Sequence, residues 1–492
     1  MALSPPIHSS LSRPIRPIRL ITLSPRYPSI HVSIPYIQNP KFRQLRFNPP
    51  KSIQLDTILA PYKEEEKGEG FYEAIKELES MTRDPSDVLT DMMERLSSRE
   101  LQLVLVYFTQ EGRDSYCALE VFDWLKKENR VDGETMELMV SIACGWIERL
   151  IDTECGVVDV VALIAEMECV GVEPGFSMVE KVVSLYWEKG RKDMAVEFVK
   201  EVMRRGGVSG YKIGDEKRAG EKAGPVGILA WKTMVDGDYI DAVKLVIEFK
   251  ETGFKPEVFS YLIGLTALVK EQKEFSKNLR KLNSFIESGK AAELDTHTLF
   301  TIEQYQSSLI SKAKMLSHWA LLEGKDDNLP GLVHERLLSL YTCAGRGLEA
   351  ERQLWQMKLL GKEPDRQFFD IVLAICASQN ETGAVHRLLA GIDSNNPISR
   401  KKSLSLLLRG YMKGGFYLDA SDILVQMLDS GLLPEYYYRA AVLQGLRKIM
   451  QETGDIEPYV RICKKLSDMD LVGPCVVYLY MPKYKLWVMN ML

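Results

Sequence analysis

The residue types that most often carry catalysis or hold metals are sparse in this 492-residue sequence. The six histidines are His8, His31, His297, His318, His334 and His386. Among them, only His297 has a possible metal-ligating partner one helical turn away, Glu293, and such an isolated pair is far more often a surface contact than a metal site. The pattern therefore predicts no metal centre.

Motifs that bring nucleophiles, phosphate-binding loops or zinc ligands together are also missing from the sequence. It contains no GxxxxGK[ST], HExxH, GxSxG or CxxC pattern, and Pro474-Cys475 is followed by valines rather than by a second cysteine. The eight cysteines are Cys117, Cys144, Cys155, Cys169, Cys343, Cys376, Cys463 and Cys475. Most of them lie in apolar helical patterns, which is typical of buried reduced thiols. We predict a protein without catalytic residues, cofactor, metal or small-molecule substrate.

Contact with a polyanion would need a local basic run, because the chain as a whole is acidic. Residues 1–50 hold seven Arg or Lys and no acid, which leaves 56 basic and 68 acidic residues, a net charge of −12, for residues 51–492. The densest run that we single out comprises Lys270, Lys273, Lys277, Arg280 and Lys281. These cations are candidates for contact with a nucleic-acid backbone, although a solvated helix face explains the same run.

A recurring set of residues indicates which elements would position such groups. A glycine, an alanine, a large apolar residue, a second glycine and a proline return at constant spacing. The matching sets are Gly345, Ala350, Met357, Gly361 and Pro364; Gly415, Ala420, Met427, Gly431 and Pro434; Gly237, Ala242, Phe249, Gly253 and Pro256; and, without the proline, Gly190, Ala195, Val202 and Gly206.

Each position in the set has a physical reason. The first glycine ends one helix in a left-handed conformation, and the second glycine ends the next helix. The alanine admits a neighbouring helix closely, and the apolar residue lies two turns later on the same face. The proline prevents the helix from continuing. The unit is thus a pair of helices, and since one pair cannot bury its apolar face alone, such pairs stack into a solenoid. We predict an all-α fold.

Segments outside the repeats differ in composition. Residues 1–50, rich in Ser, Pro and Arg, are typical of a plastid transit peptide, and residues 51–70 are predicted to be an acidic linker. Degenerate repeats are expected over 71–289, with helices at Val258–Val269 and Phe275–Glu287 and a glycine-rich mobile loop at 206–226. Residues 290–330 are either one degenerate repeat or an inserted helical pair. The clearest block spans 331–469, and 470–492 is too short and too interrupted to span a bilayer, so it is expected to cap the last repeat.

The repeat units resemble the plant pentatricopeptide repeat, through GRGLEAERQLWQMKLLGKEPD and GGFYLDASDILVQMLDSGLLPE. The likeness is strong over 331–469, moderate over 157–289 and faint over 100–150. It implies a superhelical solenoid that binds single-stranded RNA in plastids or mitochondria, with one repeat meeting one base. No catalytic tail follows the repeats, so the chain resembles the simple class of the family, which acts by binding.

The resemblance also implies where bases would be recognised: at the fifth residue of a unit and at the residue after the tail proline. The candidates on this basis are Arg336 with Asp365 and Ser403 with Glu435. The other mapped positions are Asp370, Ile398, Glu180 and Leu262, most of which depart from the family's usual side chains.

Two functions remain open from the sequence. One is a non-catalytic RNA-binding factor of the plastid stroma, or alternatively of the mitochondrion, that acts on transcript processing, splicing, stability or translation. The other is a protein-binding scaffold on the same fold, for which Tyr436, Tyr437 and Tyr438 could anchor a partner. Neither alternative involves a membrane.

Overall fold

The computed structural model describes residues 69–80, 83–109, 115–153, 156–169, 175–205, 224–288, 296–391 and 397–471. All of these lie in the compact unit Leu45–Leu492. The predicted transit peptide and nearly all of the predicted linker lie outside the described residues, as does the predicted C-terminal cap beyond residue 471. Glu69 and Gly70, which we assigned to the linker, are the first two residues of a helix.

The described residues form twenty α-helices and no strands. They are α1 (Glu69–Ser80), α2 (Pro85–Asp91), α3 (Ser98–Phe108), α4 (Ser115–Lys127), α5 (Gly133–Asp152), α6 (Val157–Cys169), α7 (Phe176–Glu188), α8 (Lys192–Arg204), α9 (Gly224–Val235), α10 (Tyr239–Glu251), α11 (Val258–Glu287), α12 (Thr296–Glu323), α13 (Leu329–Ala344), α14 (Gly347–Leu359), α15 (Arg366–Ser378), α16 (Thr382–Gly391), α17 (Pro397–Gly414), α18 (Tyr417–Asp429), α19 (Tyr436–Thr453) and α20 (Glu457–Asp468).

The helices are arranged in two layers. The odd-numbered helices form the first layer, in which each helix packs against the next from α1 to α19. The even-numbered helices form the second layer, and most of them pack against the first-layer helix that precedes them in the chain. This is the all-α solenoid of helix pairs that the repeat pattern predicts.

Helix α14 shows how the sequence forms one unit. Its buried residues Ala350, Leu354 and Met357 lie at helical spacing on one face. Glu349 lies in its first turn and Lys358 in its last turn, where each charge opposes the nearby end of the helix dipole. The alanine is completely buried, as are its counterparts Ala195, Ala242 and Ala420.

Apart from Gly206, which lies outside the described residues, the glycines of the repeat have the left-handed conformation that their spacing predicts. Gly345 ends α13 with φ +69°, and Gly361 follows α14 with φ +70°. Gly190, Gly237, Gly253, Gly415 and Gly431 also have positive φ. Where units lack the glycine, Asn129 (φ 54°) and Asn380 (φ 57°) take its place. Asparagine is among the few residues that tolerate this conformation.

Side chains of one unit donate hydrogen bonds to carbonyl groups at the helix ends of the preceding unit. The last carbonyls of a helix have no partner within that helix. Arg149 donates to the Thr109 carbonyl at 3.0 Å, and Arg191 donates to the Ile151 carbonyl at 3.1 Å. Gln379 donates to the Gly345 carbonyl at 2.8 Å. These bonds fix each pair on its predecessor.

Buried charge also joins neighbouring units in the second layer. The Arg387 guanidinium in α16 donates to both carboxylate oxygens of Glu351 in α14 at 2.7 Å, and the Trp355 indole N–H donates to the same carboxylate. Burial acts to raise the pKa of Glu351, but the hydrogen bonds from Arg387 and Trp355 outweigh it, so that the pKa is lowered. Glu351 is therefore ionised in the fold and holds α16 against α14.

The prediction for residues 258–287 is wrong in one respect. Val258–Val269 and Phe275–Glu287 are not two helices but parts of the 30-residue α11. Its partner is α12, of 28 residues, which lies in the stretch left open as a degenerate repeat or an insert. The pair is thus one enlarged unit, which crosses the boundary expected at residue 289.

The predicted loop at 206–226 is also too long, because α9 begins at Gly224; its residues 206–223 lie outside the described residues.

We expect Gly345→Ala to lower the free energy of unfolding by roughly 1–2 kcal/mol, since alanine is strained at positive φ. An added Cβ would meet nothing within 4 Å, so the effect would be purely conformational. Gly145→Ala is the matched control, because its Cβ also meets nothing and its backbone is helical, so it should stabilise slightly. Denaturant unfolding followed by circular dichroism measures both; equal effects would contradict the assigned turn.

A second prediction concerns Glu257, whose carboxyl group lies against Gly224. Burial raises the pKa of Glu257 from its ordinary value of 4.5 to about 7, and within the described residues its Oε2 is buried without a hydrogen-bond partner. Because the folded pKa is the higher one, this group favours folding below about pH 4.5, and that stability declines as pH rises towards 7, by up to roughly 3 kcal/mol. Glu257→Gln should remove this decline in melting curves recorded from pH 5 to 8.5. An unchanged pH profile would show that the carboxyl group is solvated.

Candidate nucleic-acid interface

Arg336, the first predicted base-recognition residue, belongs to α13, and its side chain reaches α11. Its Nε donates to the Thr266 hydroxyl at 3.2 Å, and its Nη1 pairs with Glu335 at 3.2 Å. Only 12% of the side chain is exposed. In this structure the guanidinium joins two neighbouring units, so its use in recognising a base stays a prediction.

Ser403 makes a similar contact one unit further along. Its hydroxyl donates to the Asp370 carboxylate at 2.7 Å, and the Arg366 guanidinium lies 3.4 Å from the same hydroxyl. Ser403 and Asp370 are both almost fully buried. The fifth residues of two successive units thus bond each other between α15 and α17, and Ser403 could meet a base only if this contact opened.

The partner positions after the tail prolines lie at helix starts. Asp365 is the N-cap of α15 and accepts a hydrogen bond from the Gln367 amide at 3.0 Å. Glu435 is the exposed N-cap of α19 and makes no capping bond with its side chain. Leu262 belongs to the core and Glu180 is half-buried, while the Ile398 side chain lies outside the described residues.

The predicted basic run lies on the long helix α11. The Lys270 ammonium is 5.7 Å from the centre of the Tyr239 ring, and partial burial lowers the pKa of Lys270. Lys277 pairs with Glu274 at 3.2 Å, and Arg280 donates to the Ser276 carbonyl at 3.2 Å. Lys273 and Lys281 are exposed. The run therefore presents several cations on one helix, with one of them neutralised by a neighbour.

The described helix with the largest net positive charge was not among the candidates predicted from the sequence. Helix α17, PISRKKSLSLLLRGYMKG, holds five basic residues and no acid, whereas its partner α18 holds three aspartates and no basic residue. Arg400, Lys401 and Lys402 are exposed near the start of α17. Charge is therefore segregated within this unit: the first-layer helix is basic and the second-layer helix is acidic.

Exposed aromatic rings lie at the start of the next first-layer helix. α19 packs against α17 and begins with Tyr436 and Tyr437, which are 76% and 60% exposed. The Arg439 guanidinium lies 5.8 Å from the centre of the Tyr436 ring. The signal was present in the sequence, because SRKKS and YYYR occupy the same place in successive units. We name Arg400, Lys401, Lys402, Tyr436 and Tyr437 the basic–aromatic patch.

Within the described residues, no group of three His, Cys, Asp or Glu side chains could hold a metal ion. None of the helices described is both long and apolar enough to cross a membrane.

Paired helices stacked in two layers, with glycine turns at fixed places and a charge-segregated unit, define an α-solenoid of helical repeats. Over 458 residues the chain is 55% identical to a pentatricopeptide repeat-containing protein of Arabidopsis thaliana whose name describes it as chloroplastic; the match spans 92% of this chain and 91% of the relative. The chain belongs to the pentatricopeptide repeat family.

Further comparisons add little to this assignment. No family model matches the chain. A crystal structure of the maize pentatricopeptide repeat protein PPR10 is 16% identical and covers 85% of this chain and 69% of that chain, with a TM-score of 0.21. A crystal structure of PPR10 in complex with an 18-nt psaJ RNA element is 18% identical to this chain, with a TM-score of 0.23. The match covers 80% of this chain and 54% of that chain. The TM-scores are low, and the family assignment rests on the Arabidopsis relative.

We predict that Ser403→Ala lowers stability by about 1–3 kcal/mol, because it leaves the buried Asp370 carboxylate without its hydrogen-bond donor. A double-mutant cycle with Asp370→Asn, measured by chemical denaturation, should show coupling between the two sites. If Ser403 instead recognises a base, the single variant would change preference among RNA sequences and leave stability unaltered.

Proposed function

We propose that this protein is a non-catalytic factor of the plastid that binds single-stranded RNA and acts on an organellar transcript by occupying a segment of it. The observation that carries the proposal is the basic first-layer helix α17 beside the acidic α18. A chain with a net charge of −12 over residues 51–492 concentrates positive charge on one layer of one unit. Such a local surface suits a polyanion.

Phosphates and bases would be bound by different parts of the basic–aromatic patch. Arg400, Lys401 and Lys402 supply cations for the backbone, and they lie near the positive end of the α17 dipole, where an anion is favoured. Tyr436 and Tyr437 present ring faces on which bases stack regardless of sequence. RNA is thus held by charge and stacking rather than by hydrogen bonds to base edges.

Discrimination among bases would be weak in the block 331–469. Ser403 and Asp370 are bonded to each other, and Arg336 is bonded to Thr266 and Glu335. These side chains stabilise the stacking of units, so the hydrogen bonds that would distinguish one base from another are already made within the protein. Asp365 and Glu435 remain exposed as candidates for contact with a base.

Plastid localisation is supported by two observations. The Arabidopsis relative is named chloroplastic, and it is 55% identical over nearly the whole chain. Residues 1–50 combine seven basic residues with no acid, as transit peptides do. The stroma is the compartment that we propose, since RNA is the ligand.

The test is binding of fluorescently labelled single-stranded RNA, measured by anisotropy as salt is raised. Replacing Arg400, Lys401 and Lys402 together with Gln should weaken binding to all sequences and reduce the slope of log K against log salt by about 2, since each phosphate contact in a single strand contributes about 0.7. The melting temperature should not fall, because the three side chains are exposed.

A matched control is the replacement of Lys126, Lys314 and Lys464, which are exposed on the second-layer helices α4, α12 and α20. This variant removes the same charge and should leave the slope close to that of the wild type. A wild-type protein that retains no RNA at low salt, but keeps protein partners after nuclease treatment, would instead establish the scaffold function.

A further inference from the structure

The pair α11–α12 is longer than the repeat fold requires. The two helices have 30 and 28 residues, whereas the other described helices have 7 to 20. The first-layer neighbour α13 ends at Ala344. Ser276 donates to the Cys343 carbonyl at 2.7 Å, and Gln306 donates to the Ala344 carbonyl at 2.9 Å. Residues 276 and 306 are therefore level with the end of α13.

The helical residues beyond this level extend past α13. We name residues 277–287 and 296–305 the projecting hairpin; at 1.5 Å per residue it extends roughly 16 Å. Its base is fixed by side chains: the Phe275 and Tyr305 rings lie 5.0 Å apart, and the Tyr305 hydroxyl donates to the Glu271 carboxylate. The hairpin is thus an ordered projection from the solenoid.

The surface of the projecting hairpin combines rings, apolar groups and cations. Phe285, Leu299 and Phe300 are 51%, 50% and 64% exposed, which costs free energy in water and is unnecessary for packing the repeats. Arg280 and Lys281 are exposed on the same part of α11. Exposed rings beside cations are the combination that binds single-stranded nucleic acid through stacking and phosphate contacts.

A second copy of the chain fits the surface of the projecting hairpin less well than a single-stranded nucleic acid does. Two hairpins packed about a two-fold axis would bring Arg280 and Lys281 of each copy towards those of the other, which like-charge repulsion disfavours. A projection about 16 Å long also presents less area than the roughly 800 Å² per partner of a stable interface. A polyanion is attracted by the same cations.

We propose that the projecting hairpin is a second contact site for single-stranded RNA, separate from the repeat surface and independent of base identity. Phe285 and Phe300 stack on bases, while Arg280 and Lys281 contact phosphates. This inference rests on the proposed function. It assigns a role to the part of the enlarged unit that extends beyond the end of α13.

The test uses the full chain and two pairs of substitutions at the projecting hairpin. Phe285→Ser with Phe300→Ser should reduce affinity for labelled poly(U) and poly(A) alike, by about fivefold or more for each stacked base. Arg280→Gln with Lys281→Gln should reduce the salt slope by about 1.4. Controls are Leu322→Ser at the other end of α12 and Leu359→Ser on α14, which remove exposed apolar side chains of 72% and 80% exposure and should leave affinity unchanged.

The outcomes separate the two proposals. If the wild type binds no RNA, the proposed function fails and the hairpin site fails with it. If the wild type binds RNA and both hairpin variants bind equally well, only the hairpin site is overturned. If the Phe variants turn a dimer into a monomer in sedimentation experiments at unchanged RNA affinity, the occupant is a second copy, which also overturns it. Unchanged melting temperatures would exclude unfolding as the cause of any loss.

Discussion

Contact between successive helix pairs is the interaction on which this structure depends. A pair such as α13–α14 has two faces to cover, and it can cover them only with the pairs on either side. The first-layer helices approach closely where side chains are small: a Cβ on Gly410 of α17 would lie 2.4 Å from the Ala374 carbonyl oxygen of α15. Donors such as Arg149, Arg191 and Gln379 then satisfy helix ends in the preceding unit.

This dependence explains why two of the predicted base-recognition residues, Arg336 and Ser403, hydrogen-bond a neighbouring unit in the structure. Several polar side chains lie largely buried at the boundary between first-layer helices, and most buried polar groups in proteins are hydrogen-bonded. Ser403 finds Asp370, and Arg336 finds Thr266 and Glu335. The positions that we propose for RNA lie away from this boundary, at the starts of α17 and α19 and on the projecting hairpin, where cations and aromatic rings are exposed.

Much of the fold could be predicted because the repeat residues act locally. The positions of Gly345 and Gly361 require a positive φ, which favours glycine, and the position of Ala350 is completely buried at a helix contact, which favours a small side chain. The residue type therefore indicates the local structure. The break expected within α11 was wrong for a local reason: Lys270 to Glu274 are all strong helix formers and include no glycine or proline, so the residues themselves favour a continuous helix. The burial of Ser403, by contrast, could not be predicted locally, since its partner is 33 residues away. The residues of the basic–aromatic patch were visible in SRKKS and YYYR, but only the structure shows that the helices that carry them, α17 and α19, are neighbours in the first layer.

We infer that RNA lies along the first layer of helices and at the projecting hairpin. Ultraviolet crosslinking of the wild-type protein to single-stranded RNA, followed by mass spectrometry of the crosslinked peptides, locates the bound strand on the protein. We expect crosslinks at Tyr436 or Tyr437 and at Phe285 or Phe300. Crosslinks confined to the second-layer helices, such as α14, α18 and α20, would show that RNA binds the other layer.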